Sequence, residues 1–246
     1  MNGFFDVYPD SGSWSLYDAT HLAWLAVMVI IGALLVVFYR RAGDKTRRRM
    51  ELIVPLCTLG FNLFRAAVLA AQGEYDRYTL PLHLCAMSVY IELLYAIFPC
   101  KVLGELLYAV CMPGALAAML LPEWTDAPLF NFMHITCFAM HILLVVYPIM
   151  LTAGGKHRPS VRRLPLCLLV LAALSVPIWF LNRHWNTNYM FLRHPGGILP
   201  LEWFEERLGD PGYLVGFPLL AAMLWLVLYA PIVIADIARK KKQTKQ

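Results

Sequence analysis

Two apolar stretches of this chain carry thiols and imidazoles at helical spacing. One holds His83, Cys85, Ser88 and Glu92, in which Cys85, Ser88 and Glu92 follow i, i+3, i+7 spacing. The other holds His134, Cys137 and His141, again at i, i+3, i+7. Residues so spaced form one stripe along a helix. A third stretch adds Asn62 and Arg65, three apart on one face. Three chemistries can use such a set. A cysteine thiolate with a histidine base performs nucleophilic catalysis, and a nearby arginine stabilises an oxyanion or holds a phosphate. Zinc accepts the same nitrogen and sulfur ligands, although no Cys-x-x-Cys or His-Glu-x-x-His pattern is present. Histidines and asparagines also simply hydrogen-bond one helix to its neighbour. Cys57, Cys100, Cys111, Cys137 and Cys167 read as small apolar residues, which leaves Cys85 as the candidate nucleophile.

The elements that must position these groups are membrane spans. Of 246 residues, 60% are apolar or aromatic and 15% charged, against roughly one half and one quarter in soluble domains. Apolar runs cover about 16–39, 50–72, 80–98, 101–121, 129–151, 164–182 and 213–237. Each is long enough to cross a hydrocarbon layer of about 30 Å at about 1.5 Å per residue. The fold expected is all-α: a single transmembrane domain over 1–246 with about seven helices. Residues 183–212 form an outer loop with an interfacial helix near Leu201–Arg207, and 239–246 form a basic cytoplasmic tail. Asp6, Asp10 and Asp18, without a basic leader, argue against a cleavable signal peptide. The six cysteines sit in or beside apolar runs, which argues against an extracellular disulfide framework.

Orientation follows from the basic residues. Sixteen lysines and arginines fall in the loops and tail on one side, and four (Arg77, Arg183, Arg193 and Arg207) on the other. The positive-inside rule then puts the amino terminus outside and the carboxyl terminus in the cytoplasm. The net charge of +5 therefore reads as topology and anionic lipid rather than nucleic acid. With this orientation Asn62, Arg65, Cys85, His134, His141, Asn182 and Asn188 share the outer half of the membrane, whereas Glu92 and Glu105 lie towards the cytoplasm.

Two segments carry a family resemblance. Leu80-Pro81-Leu82-His83-Leu84-Cys85 and Asn186-Thr187-Asn188-Tyr189-Met190-Phe191-Leu192, the latter followed by Pro195 and Trp203, resemble the YwaF family of bacterial integral membrane proteins. That family is similar to a eukaryotic transmembrane acyltransferase that remodels ether phospholipids. The resemblance covers about residues 50–237. It implies cysteine-dependent acyl transfer in a bacterial plasma membrane, with Cys85 as nucleophile and His141 as base, or His134 in its place. The expected substrate-binding set is Asn62, Arg65, His83, Ser88, Asn188 and Tyr189, acting on a phospholipid or lysophospholipid. No metal and no cofactor is expected, and no nucleotide-binding glycine loop is present to couple energy. A lipid-binding or transport protein with the same outer cavity, without covalent chemistry, is the reading from another class. A metal-binding membrane protein is a further one.

Overall fold

A computed structural model describes residues 3–7 and 13–243. Asp10 and the end of the basic tail, 244–246, lie outside the described residues. The described residues form eight helices and no strand. They are α1 (Ala19–Arg41), α2 (Asp44–Ala71), α3 (Leu84–Ile97), α4 (Lys101–Leu120), α5 (Phe132–Ala153), α6 (Leu164–Trp185), α7 (Leu199–Leu208) and α8 (Gly216–Gln243). Six of them, all but α3 and α7, are long and apolar enough to cross a membrane. Internal contacts divide the chain into two compact units, Met1–Arg158 and Pro159–Gln246.

The run expected over 80–98 becomes a shorter helix of 14 residues, about 21 Å long. Pro81 forbids helical geometry at Leu80, and the amide of Leu82 donates to the Leu80 carbonyl (2.8 Å) in a tight turn. Helix α3 therefore begins only after His83, which is its extended N-cap residue. Just before Pro113, α4 widens into a π-turn over Leu107–Cys111, in which the Met112 amide reaches back to the Leu107 carbonyl. Proline at 113 supplies no amide to the next turn, so the wider register is accommodated there.

In the first unit α5 runs through the middle, packed by α1, α2 and α4, while α3 lies against α2. In the spanning window of α5 72% of residues are buried, against 6% in α1. Helix α1 thus turns apolar side chains such as Val29 and Leu34 outward, as a lipid-facing helix does. Its start is capped by Asp18, whose carboxylate accepts from the amides of His21 (2.9 Å) and Ser15 (3.0 Å). Those bonds hold the Asp18 carboxyl below the usual range.

Helix α2 contains Pro55, which cannot donate to the Glu51 carbonyl one turn back. The Tyr147 hydroxyl of α5 fills that vacancy, donating to the Glu51 carbonyl at 2.9 Å. The Glu51 carboxylate is buried too. It accepts from the Tyr39 hydroxyl (2.7 Å) and pairs with Lys156 (3.2 Å) and Arg48 (3.4 Å). At this same end of the unit the buried pair Glu105 and His157 approach to 3.5 Å. At the opposite end of α2 and α5, residues 3–7 act as a strap. Gln72 donates to the Phe5 carbonyl (2.6 Å), Asn131 to that of Asp6 (2.7 Å), and the Phe132 amide to that of Phe4 (2.9 Å).

In the second unit the Asn-Thr-Asn-Tyr segment builds a loop after α6. Asn186 closes α6 in the left-handed conformation at φ 61°. Asn182 accepts from the Thr187 hydroxyl and the Tyr189 amide, and donates to the Tyr189 carbonyl, all within 2.9 Å. The expected short helix after this loop spans Leu199–Leu208.

Candidate functional site

Helix α5 presents His134, Cys137 and His141 inward, and all three are buried. Its start is fixed by Asn131, whose side-chain carbonyl accepts from the Met133 amide at 2.8 Å. His141 sits about 13 Å further along the axis. Its Nδ1 donates to the carbonyl of Cys137 at 2.7 Å, so the lone pair of the neutral ring is on Nε2. That Nε2 is buried and has no hydrogen-bond partner. A buried polar atom left unpaired is costly, so this lone pair is open to a partner that brings a proton. The ring itself is held flat by Trp124, stacked at 4.9 Å and 21°.

His134 is arranged differently. Its Nδ1 donates to the Ala127 carbonyl (3.0 Å), and its Nε2 accepts from the Trp24 indole (2.7 Å). Both nitrogens are engaged, so this imidazole ties α1, the α4–α5 loop and α5 together. Phe138 sits at the centre of the same aromatic cluster, stacked on Trp24 at 4.8 Å and 2° and touched edgewise by Trp124. Trp14 packs against Phe138 and His134 at 5.5 Å each. The indole nitrogens of Trp14 and Trp124 are buried without partners, as is His141 Nε2. Three of the unpaired polar atoms of this chain therefore gather in one aromatic cluster.

Arg65, half-buried on α2, is the charge at the centre of the site. Its guanidinium lies close enough to act electrostatically on Cys137, His83, Cys85 and His141. Cys85 is half-buried in the first turn of α3 and feels Cys137 as well as Arg65. The residues gathered around Arg65 are therefore His83, Cys85, Cys137 and His141, from α3, α5 and the loop end before α3. Asn62 is buried one turn before Arg65. Ser88 is buried but donates to the Leu84 carbonyl of its own helix at 2.7 Å, which leaves its hydroxyl committed. Glu92 lies deeper, fully buried beside Thr58, with no hydrogen-bond partner for either oxygen. Among the described residues no group of three His, Cys, Asp or Glu side chains comes together to hold a metal.

A family model matches residues 16–229, from the cap of α1 into α8, and that model is the TMEM164 family. The chain belongs to the TMEM164 family. Comparison with curated proteins and with solved structures finds no match. The match covers every site residue named above and establishes a transmembrane protein family for this chain. Within this TMEM164-family chain, two expected substrate-binding residues belong to the second unit and build its loop. Asn188 accepts from the amides of Arg193 and His194 (3.1 Å each) and donates to the His194 carbonyl (3.0 Å). Tyr189 is buried beneath that loop.

Two participants were not legible as functional from the sequence. Trp124 lies in a loop, where periodicity has no reach. Cys137, expected as a small apolar residue, supplies through its backbone the carbonyl that orients His141. Its position four residues before His141 was the available signal, since that spacing puts its carbonyl under the ring.

Proposed function

We propose that this chain crosses the plasma membrane of a bacterium seven times, amino terminus outside, and moves acyl groups between phospholipids through a cysteine. The observation that carries the reading is the state of His141: Nδ1 anchored on a carbonyl, Nε2 buried and unpaired. That is what a general base requires, and His134 lacks it because Trp24 occupies its second nitrogen.

In this reading Cys85 gives its thiol proton to His141 Nε2, and its sulfur attacks the ester carbonyl of a phospholipid acyl chain. The tetrahedral intermediate collapses, and the glycerol oxygen leaves with the proton returned by His141. A thioester on Cys85 and a lysophospholipid remain. The hydroxyl of a second lysophospholipid then gives its proton to Nε2 and attacks the thioester. The Cys85 sulfur leaves and recovers the proton. Arg65, with Asn62 beside it, holds the lipid phosphate near the reacting carbonyl, since a guanidinium pairs with phosphate in a bidentate fork.

The test uses the full chain in phospholipid vesicles carrying an isotopically labelled acyl chain, with added lysophospholipid. The expected result is a hydroxylamine-sensitive label on Cys85, absent in Cys85→Ser, and label transferred to the lysophospholipid. Folded protein that shows neither label nor transfer overturns the enzyme reading in favour of a lipid binder.

A further inference from the structure

Helices α2 and α5 leave an open groove of about 450 Å³ between them in the first unit. Cys57, Gly60, Phe61 and Phe64 of α2 form one wall, and Ile135 and Thr136 of α5 the other. The α2 positions are spaced i, i+3, i+4 and i+7, a single helical face. The one hydroxyl in the wall is engaged by its own helix: Thr136 donates to the Phe132 carbonyl at 2.6 Å. Phe4 lines the end of the groove under the strap, held there by the bond from the Phe132 amide to the Phe4 carbonyl.

The gap exists because position 60 has no side chain. A Cβ built there meets no atom within 4 Å, so the space beside the helix is unfilled rather than tightly packed. A glycine in a helix interior is less favourable than alanine, and no close approach of a neighbour requires one here. The groove lies one helical turn from charge. Phe61 is four residues before Arg65, and the groove continues to Cys57, about 12 Å along α2 from Arg65. Thr136 directly precedes Cys137, which lies within the electrostatic reach of Arg65. An anion on Arg65 thus has an apolar channel leading away from it along the same helix.

We infer that the α2–α5 groove receives one acyl chain of the phospholipid whose phosphate Arg65 holds, with Gly60 as the gauge of chain length. The inference rests on the proposed acyl-transfer function and specifies how that site selects its substrate. A headgroup alone would need no groove, and a free small anion would need no apolar wall. A chain running from Arg65 past Gly60 towards Cys57 uses both. A volume of this size is ordinary for a small-molecule site lined by apolar side chains.

The experiment reads binding separately from chemistry. The full chain is reconstituted with a diacyl phospholipid bearing a diazirine part-way along one acyl chain, irradiated, and the adducts are mapped by mass spectrometry. Adducts are expected on Cys57, Phe61, Phe64 and Ile135. They persist in Cys85→Ser and fall to background in Gly60→Trp, which fills the groove. Val29→Trp on the lipid-facing side of α1 leaves them unchanged. A diazirine diacylglycerol, which has no phosphate, labels the groove weakly, and Arg65→Gln reduces phospholipid labelling to that level. Gly60→Leu, a smaller filling that favours the helix, moves the preferred chain towards shorter lengths in competition between lipids. Adducts scattered over α1 and α8, or labelling indifferent to Gly60→Trp and Gly60→Leu in folded protein, overturn the inference. Groove labelling without any acyl transfer keeps the groove and overturns only the catalytic reading.

Discussion

The indole of Trp124 lies flat on the imidazole of His141, 4.9 Å away and 21° from parallel, and covers one face of the ring whose Nε2 is unpaired. A flat cover limits rotation of the ring without touching either nitrogen. Trp124→Phe retains an aromatic face, so its acyl-transfer rate should stay within about threefold of the wild type. Trp124→Ala frees the ring and should lower the rate about tenfold or more, because a loosely oriented base is a poor one. The rates are measured with the labelled-phospholipid assay, and equal rates for the two variants would refute an orienting role.

His141 is the residue whose loss should separate chemistry from binding. His141→Ala removes the proton acceptor, and the rate of thioester formation on Cys85 should fall by about 100- to 10,000-fold. His141→Gln fills the space without a base and should be equally slow. Phospholipid binding, read by photo-cross-linking, should persist in both. A variant that binds and reacts normally would move the base to another residue.

His134 should behave in the opposite way. Removing it leaves the Trp24 indole N–H and the Ala127 carbonyl without their partners at 2.7 and 3.0 Å. Each buried group left unpaired costs about 1–3 kcal/mol, so His134→Ala should unfold at a distinctly lower temperature in detergent micelles. The protein that remains folded should still form the thioester. A loss of thioester formation with normal thermal stability would return His134 to the role of base.

The spans and the polar stripe of α5 were legible because both depend on patterns local to one helix. The apolar runs set helix lengths, and the i, i+3, i+7 spacing from His134 to His141 placed three side chains on one face before any neighbour was known. What escaped depended on partners distant in sequence. Nothing local tells His134 from His141: one meets Trp24, 110 residues away, and the other does not. Arg65 and Asn62 share one face, but which thiols come within reach of that charge is decided by how α2 packs on its neighbours. The groove is an absence at Gly60, which a sequence pattern registers as an ordinary glycine in a helix. The start of α3 was misjudged for a local reason, because the apolar residues 80–83 continue the hydropathy while Pro81 breaks the helix. Asn188 and Tyr189 stand in the segment that carries the family resemblance, and what the sequence does not show is that Asn188 also ties together the loop after α6.

The pairing of Pro55 with Tyr147 can be tested as a cycle. Tyr147→Phe leaves the Glu51 carbonyl, already deprived of its helical donor by Pro55, without the 2.9 Å bond. The expected loss is about 1–3 kcal/mol. Pro55→Ala restores an amide to that carbonyl, so adding it to Tyr147→Phe should recover much of the loss. The two substitutions are then strongly non-additive. Additive changes in Tm across the four proteins would mean that the hydroxyl and the proline act independently.

Glu123 sits in the α4–α5 loop next to Trp124, and partial removal from water pushes its carboxyl from 4.5 up to about 7. The sign of the consequence follows from which state holds the proton. Between those two values the folded chain binds the proton more readily than the unfolded one, so folding is favoured at the acid end. That contribution is fully present below about 4.5, is lost as pH rises to about 7, and stays lost above it. Glu123→Gln has no proton to release and should flatten this part of the profile, gaining most over the wild type above about pH 7. Thermal unfolding of both proteins across the weakly acidic to neutral range checks it. A wild type and variant that fall in parallel through that range would show that another group carries the pH dependence.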